Sequence, residues 1–215
     1  MIQMVTLSVY SRKKVKEMNK KIISQSDYSV SNWSGGETAE VFLYPPDGQY
    51  ALNKFDFRIS TAKVSLNESN FSSLPEYKRI IMSLDNPLEL HHSGKKGFRK
   101  EVLAPFQTDY FCGSDITKSF GKCTDFNLIY LPKYGGEMTT RQSDAEIVLK
   151  KNVFYLYFAL EDSQLIINGT SAEKEIINVK KGDSLVLTDT LGGEKVKVCS
   201  TIEGRLPIVV EVSVR

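Results

Sequence analysis

Two histidines, one tryptophan and three cysteines in 215 residues restrict the chemistry this chain can carry. His91 and His92 are neighbours in Leu88-Glu-Leu-His-His92. Successive side chains on a strand point to opposite faces, so the pair cannot reach one metal together. His91 reads as a half-buried strand residue and His92 as a solvated one. No metal and no cofactor are expected. Cys112, Cys123 and Cys199 are odd in number and lack metal-like spacing. They suggest reduced thiols in a cytoplasm rather than a disulfide framework. A P-loop, a dinucleotide fingerprint and a nucleophile elbow are all missing. Gly35-Gly36 reads as a turn or a close backbone approach, because no helix start follows it to cradle a phosphate. No apolar run reaches the roughly 18 residues of a membrane span, and no signal peptide is evident. No membrane partner is expected, and the protein should be cytoplasmic.

Charge of one sign is concentrated at the start. Residues 1–21 hold Arg12, Lys13, Lys14, Lys16, Lys20 and Lys21 against Glu17, a net +5. The whole chain carries +2, so the remainder is acidic by −3. A basic run can touch nucleic acid or anionic lipid. Here no basic surface continues it, and nucleic acid is not expected as a partner. Residues 11–21 are the best helix candidate. The chain as a whole has 41% hydrophobic and 25% charged residues, the balance of a globular chain long enough to bury a core.

What is abundant is alternation. In Phe55-Asp-Phe-Arg-Ile-Ser-Thr-Ala62, Phe55, Phe57 and Ile59 share one face, and Asp56, Arg58, Ser60 and Ala62 the other. Asp125-Phe-Asn-Leu-Ile-Tyr130 repeats the pattern. Short strands recur at intervals of about 8–12 residues, separated by turns such as Pro45-Pro-Asp-Gly48. Pro132 to Thr140, with its own glycine pair, is the best linker. Leu84 to Gly94 resembles Leu160 to Gly169, each a strand, an acidic turn, a second strand and a glycine. The basic and apolar stretches Phe98–Leu103 and Lys174–Val179 follow them. Lys180-Lys-Gly-Asp-Ser-Leu-Val-Leu187 has the turn-then-strand form of cupin barrels. The expectation is an all-β chain of two cupin-like jelly-roll barrels in tandem, with a short N-terminal helix. Its divisions are a basic extension at 1–21, a first barrel at 22–135 and a second at 136–215.

Four stretches occur together here in a known order and spacing. They are Trp33-Ser-Gly-Gly-Glu-Thr-Ala-Glu40, Phe55 to Ala62, Phe71-Ser-Ser-Leu-Pro-Glu-Tyr-Lys-Arg79 and Asp125-Phe-Asn127. They resemble the HutD/Ves family from about Ser24 to Pro132; beyond that the likeness is one of pattern. Where the family more usually has Trp before the arginine, this chain has Phe57. The resemblance implies a bacterial bicupin associated with histidine utilisation, restraining the pathway by binding an intermediate such as formylglutamate, or a stress-response branch.

The residues themselves offer a polar lumen in the first barrel. Thr38, Arg58, Ser60 and Asn127 are its best lining, with Phe42, Phe57 or Phe106 as apolar walls. A guanidinium fork suits a carboxylate, and the neutral groups suit its remaining oxygens or an amide. A small carboxylate is therefore the expected partner, taken by a monomer or homodimer. Three alternatives stay open. Arg58 can be a surface arginine, or Asp125 can neutralise Arg58 or Arg79. Glu40 or Asp125 can serve as base in a metal-independent enzyme acting on a small acylated amino acid. The lumen can also be filled by its own side chains in a structural or interaction protein.

Overall fold

β-Branched and aromatic residues in alternation make strands of nearly everything in the computed structural model, which describes residues 17–169, 174–200 and 207–215. In chain order the strands are β1 (Asn19–Ile23), β2 (Ser29–Trp33), β3 (Gly36–Tyr44), β4 (Phe57–Val64), β5 (Glu68–Asn70), β6 (Lys78–Ser83), β7 (Leu88–Gly94), β8 (Gly97–Leu103), β9 (Thr108–Cys112) and β10 (Ile116–Phe120). There follow β11 (Thr124–Tyr130), β12 (Gly136–Arg141), β13 (Glu146–Val148), β14 (Phe154–Ala159), β15 (Ser163–Asn168), β16 (Lys174–Val179), β17 (Ser184–Thr188), β18 (Lys195–Ser200) and β19 (Val209–Val214). The one helical element among the described residues is a 3-10 turn at Gln25–Asp27.

The strands form four antiparallel sheets. A large sheet runs β2-β3-β4-β11-β6-β9 and faces a small one, β5-β10-β7-β8. A second large sheet runs β1-β17-β14-β19-β12, with its own small sheet β13-β18-β15-β16. Adding eight to each label converts β4-β11-β6-β9 into β12-β19-β14-β17, and β5-β10-β7-β8 into β13-β18-β15-β16. The fold is thus one eight-stranded unit used twice. The sheets are open sandwiches, not the closed barrels expected from the sequence.

The two large sheets are packed back to back. Phe57, Ile59, Ile80, Met82, Phe126 and Leu128 from one meet Met138, Leu156, Val186, Val210, Val212 and Val214 from the other in a single buried cluster. The Phe57–Ile59 face of β4 is therefore core, as its alternation predicts, and the core is shared between the two units. Phe42 and Phe106 pack against this same cluster. None of the three phenylalanines is a lumen wall.

The structure corrects two expectations. Of the expected helix over 11–21, residues 11–16 lie outside the described residues, and Asn19 to Ile23 form a strand paired with β17. Lysines at an exposed sheet edge carry no alternation to betray a strand, and an edge position tolerates them. The expected linker over 132–140 contains β12, which pairs with β19 along its whole length. Gly136 there faces Tyr130 and Leu128, so its lack of a side chain serves close packing rather than freedom.

Candidate functional site

The inner faces of the two sandwiches differ. In the second, Tyr155, Tyr157, Leu165, Leu185, Leu187, Val196 and Val198 close an apolar core. In the first, a cavity of about 310 Å³ opens between the sheets. Register explains its lining. Arg58, Ile129 and Arg79 occupy one row across β4, β11 and β6; Ser60, Asn127 and Ile81 the next; Ala62, Asp125 and Ser83 the third. Residues at matching positions point to the same side, so Arg58, Arg79, Ser60, Asn127 and Asp125 converge.

All four residues expected from the sequence line this cavity. Arg58 and Asn127 are 6% exposed and Ser60 2%; Thr38 lies beside them on β3. Arg58 is not a surface arginine. Its Nε donates to Glu40 Oε2 at 2.7 Å, its Nη1 to Ser60 Oγ at 3.0 Å, and its guanidinium lies 4.0 Å from the Tyr50 ring centre. Glu40 reaches it because of a bulge. Register shifts between Glu40 and Phe42, so Val41 and Phe42 both turn to the shared core while Glu40 stays opposite Ser60. Plain alternation would have put Glu40 and Phe42 on one face. Glu40 is thus the partner of Arg58, and the role of neutralising Arg58 does not fall to Asp125.

Arg79 is the residue that sequence reasoning left outside the lumen. Its strand is Lys-Arg-Ile-Ile-Met-Ser, with Ile80, Ile81 and Met82 all fully buried, so no alternation marks a polar face. The guanidinium lies against both Phe71 and Phe111, with Cζ 4.7 and 5.2 Å from their ring centres, the two rings meeting edge to face at 89°. Its Nη2 donates to Asn127 Oδ1 and its Nη1 to the Ser72 carbonyl, both at 3.4 Å. Burial pushes its pKa down to about 10, which leaves it cationic at neutral pH. Asn127 in turn donates from Nδ2 to Asp125 Oδ1. Burial raises the Asp125 carboxyl to about 7, against the opposing pull of Arg79 and Asn127.

Trp33 and Tyr50 flank the mouth, 40% and 45% exposed. Trp33 Nε1 donates to Thr38 Oγ1 at 3.2 Å, which fixes the hydroxyl and leaves its proton available. Phe71, Ala62 and Val64 supply further apolar wall. The walls are therefore Trp33, Tyr50 and Phe71, two of them in loops, where no periodicity reports a side chain's direction.

The histidines separate as expected, one to each face, and only His92 departs from its expected surroundings. His91 lies half-buried on the outer face beside Glu89. His92 is not solvated: it is 1% exposed, with Nδ1 2.9 Å from Thr117 Oγ1 and Nε2 2.9 Å from Asp109 Oδ2. Arg99 grips the same aspartate through two 2.8 Å bonds. Burial would raise Asp109, but the hydrogen bonds from His92 and Arg99 hold it below the usual carboxylate range. Cys112, Cys123 and Cys199 are free thiols.

The double sandwich is shared with solved cupin-fold structures. Oxalate decarboxylase from Bacillus subtilis matches at 8% identity with a TM-score of 0.57, over 90% of this chain and 76% of that one. Two nearer structures cover 91% of this chain and 98% of their own. They are the conserved protein of unknown function PA5104 from Pseudomonas aeruginosa PAO1 (23% identity, TM-score 0.73) and HutD from Pseudomonas fluorescens SBW25 (21%, 0.70). No curated protein matches the sequence. The HutD family model matches residues 25–202, and the chain belongs to the HutD family.

Oxalate decarboxylase has Mn(II) centres. The residues here do not fit such a centre. The cavity lining contains one carboxylate, Asp125, and no histidine, and no group of three or more His, Cys, Asp or Glu suited to a metal occurs among the described residues. No helix among them is long and apolar enough to cross a membrane.

Proposed function

We propose that the protein binds a small carboxylate metabolite, such as N-formylglutamate, in the first cavity, and through it modulates histidine utilisation or a stress response. The observation that carries this reading is the row Arg58–Ile129–Arg79, which aims two buried guanidiniums into one small cavity. Guanidinium forks select planar carboxylates, and a cavity of this size takes a metabolite rather than a polymer. Arg58, Ser60, Thr38 and Asn127 orient the ligand. Trp33, Tyr50 and Phe71 supply the apolar contact a short carbon chain needs. The same reading divides the chain into 22–135, which holds the site, and 136–215, whose packed interior supports it, and places the protein in the cytoplasm as a monomer or homodimer.

One observation favours a second reading. A cavity carboxyl poised near neutrality is what a general base requires, so Asp125 suits a metal-independent enzyme acting on a small acylated amino acid. Mass spectrometry of small molecules released from the purified protein separates these readings. Binding predicts an intact acid of about ten to fifteen heavy atoms, unchanged on prolonged incubation with added protein. Its conversion would favour the enzyme, and release of neutral or basic compounds alone would remove the carboxylate reading.

A further inference from the structure

The two arginines of the cavity differ in what already satisfies them. Arg58 has a carboxylate at 2.7 Å and a hydroxyl at 3.0 Å. Arg79 has two long contacts of 3.4 Å, and its Nε is buried without an acceptor. It forms no ion pair among the described residues. Across the cavity on β5, Ser69 Oγ is likewise buried without a partner. Buried donors are seldom left unmade, and an uncompensated buried cation is costly. Two orphaned groups facing one cavity mark where an acceptor belongs. Phe71 and Phe111, set edge to face, both lie against the guanidinium and restrict its movement, so little freedom is left to lose on binding.

We propose that Arg79 and Ser69 form an acidic-group subsite on the far side of Ile129 from Arg58, and that this subsite, not the Glu40-paired Arg58, provides the dominant anchor for an oxyanion. The inference rests on the carboxylate reading of the cavity. A carboxylate seated there accepts from Arg79 Nε and Ser69 Oγ. Arg58, two strand spacings away at about 10 Å between backbones, is left to meet a second polar group of the same ligand.

Asp125 makes this subsite sensitive to pH. The charged and titratable groups acting on it are Arg79 from β6, Asp85 from the turn after β6 and Cys123, the residue just before its own strand β11. β4 offers Ala62, and the small sheet offers Ser69 and Ser119. An anion at Arg79 therefore binds best with Asp125 protonated. Above the Asp125 pKa, binding must take up a proton, and affinity falls by up to about tenfold per pH unit.

Glutarate titrations followed by protein NMR at pH 6 and pH 8.5 test this in the wild type and in Arg79→Gln, Arg58→Gln and Asp125→Asn. Arg79→Gln should weaken binding about 30-fold or more, and Arg58→Gln by less. Wild-type affinity should drop between the two pH values, and Asp125→Asn should be nearly flat. A folded Arg79→Gln that binds like wild type, or loses less than Arg58→Gln, overturns the proposal. If Arg79→Gln does not fold, the wild-type pH dependence decides: equal affinity at both values overturns it. Loss confined to Arg58→Gln leaves the carboxylate reading standing and ends this inference. No glutarate binding to any form at millimolar concentration removes both.

Discussion

Asp125 shows how one buried side chain sets the behaviour of a site. Its proton is held more tightly in the folded protein than in the unfolded chain, because burial disfavours the charge. Its stabilising contribution is therefore full below about pH 4, is lost progressively as pH rises to about 7, and changes no further above that. Asn at this position keeps an oxygen for the Asn127 amide and cannot ionise. Asp125→Asn should gain on the wild type in thermal midpoint between pH 5 and pH 8, at up to about 1.4 kcal/mol per pH unit of the window. A constant difference between the two proteins across that range would mean that the carboxyl titrates normally. At this scale the alternation in Phe55 to Ala62 and in Asp125 to Tyr130 was enough to place Arg58, Ser60 and Asn127 on one face. Arg79 escaped as lining, and Asp125 stood only as an alternative base or ion-pair partner. Arg79 sits in a strand that is buried on both faces, and the distance of Asp125 from any partner depends on how strands pair, which no single strand reveals.

At the scale of elements, the β2–β3 hairpin carries the mouth of the cavity. Trp33 and Gly36 are its last paired residues, and Trp33 reaches over to Thr38. Gly36 lies in the left-handed half of backbone space at φ 154°, where a Cβ would fall 1.9 Å from the Lys63 carbonyl oxygen on β4. Gly36→Ala should force β3 from β4, lower stability by about 1–3 kcal/mol and weaken ligand binding. Gly97 is the comparison: its φ is also positive, but no atom lies within 4 Å of the place a Cβ would take, so Gly97→Ala should cost less and leave binding unchanged. Equal midpoints for both variants would refute the close approach as the cause. The glycine pair was readable in the sequence as a turn or close approach. The bulge beside it was not, because Glu-Val-Phe continues the alternation on paper while Val41 breaks it in space. β1 and β12 were hidden by lysines at an edge and by glycines at a packed crossing.

The molecule as a whole is one strand pattern used twice with opposite outcomes. The repeat of Leu84–Gly94 in Leu160–Gly169, visible in the sequence, corresponds to the β6–β7 and β14–β15 connections, each of which carries the chain from a large sheet to its small one at equivalent places in the two sandwiches. What the repeat could not show is that both large sheets share a core, since back-to-back packing depends on faces from segments far apart in the chain. In the second sandwich, Tyr157 and Glu211 share a row with Thr139, and Arg141 binds Glu211 through bonds of 3.0 and 3.1 Å. The Tyr157 hydroxyl, inside the apolar core, and Ser163 Oγ are buried there without partners, but the second sandwich's buried Glu211 has its arginine. The first sandwich keeps orphaned donors facing a cavity. One binding site per chain follows, in the first sandwich alone. Isothermal titration of the wild type and of Ala62→Phe with N-formyl-L-glutamate tests this most directly, because a phenyl group at Ala62 projects into the cavity without touching either arginine's charge. One ligand per chain is predicted for the wild type, and no measurable binding by a folded Ala62→Phe protein; binding that survives Ala62→Phe unchanged, or no binding by the wild type, would contradict the single carboxylate site.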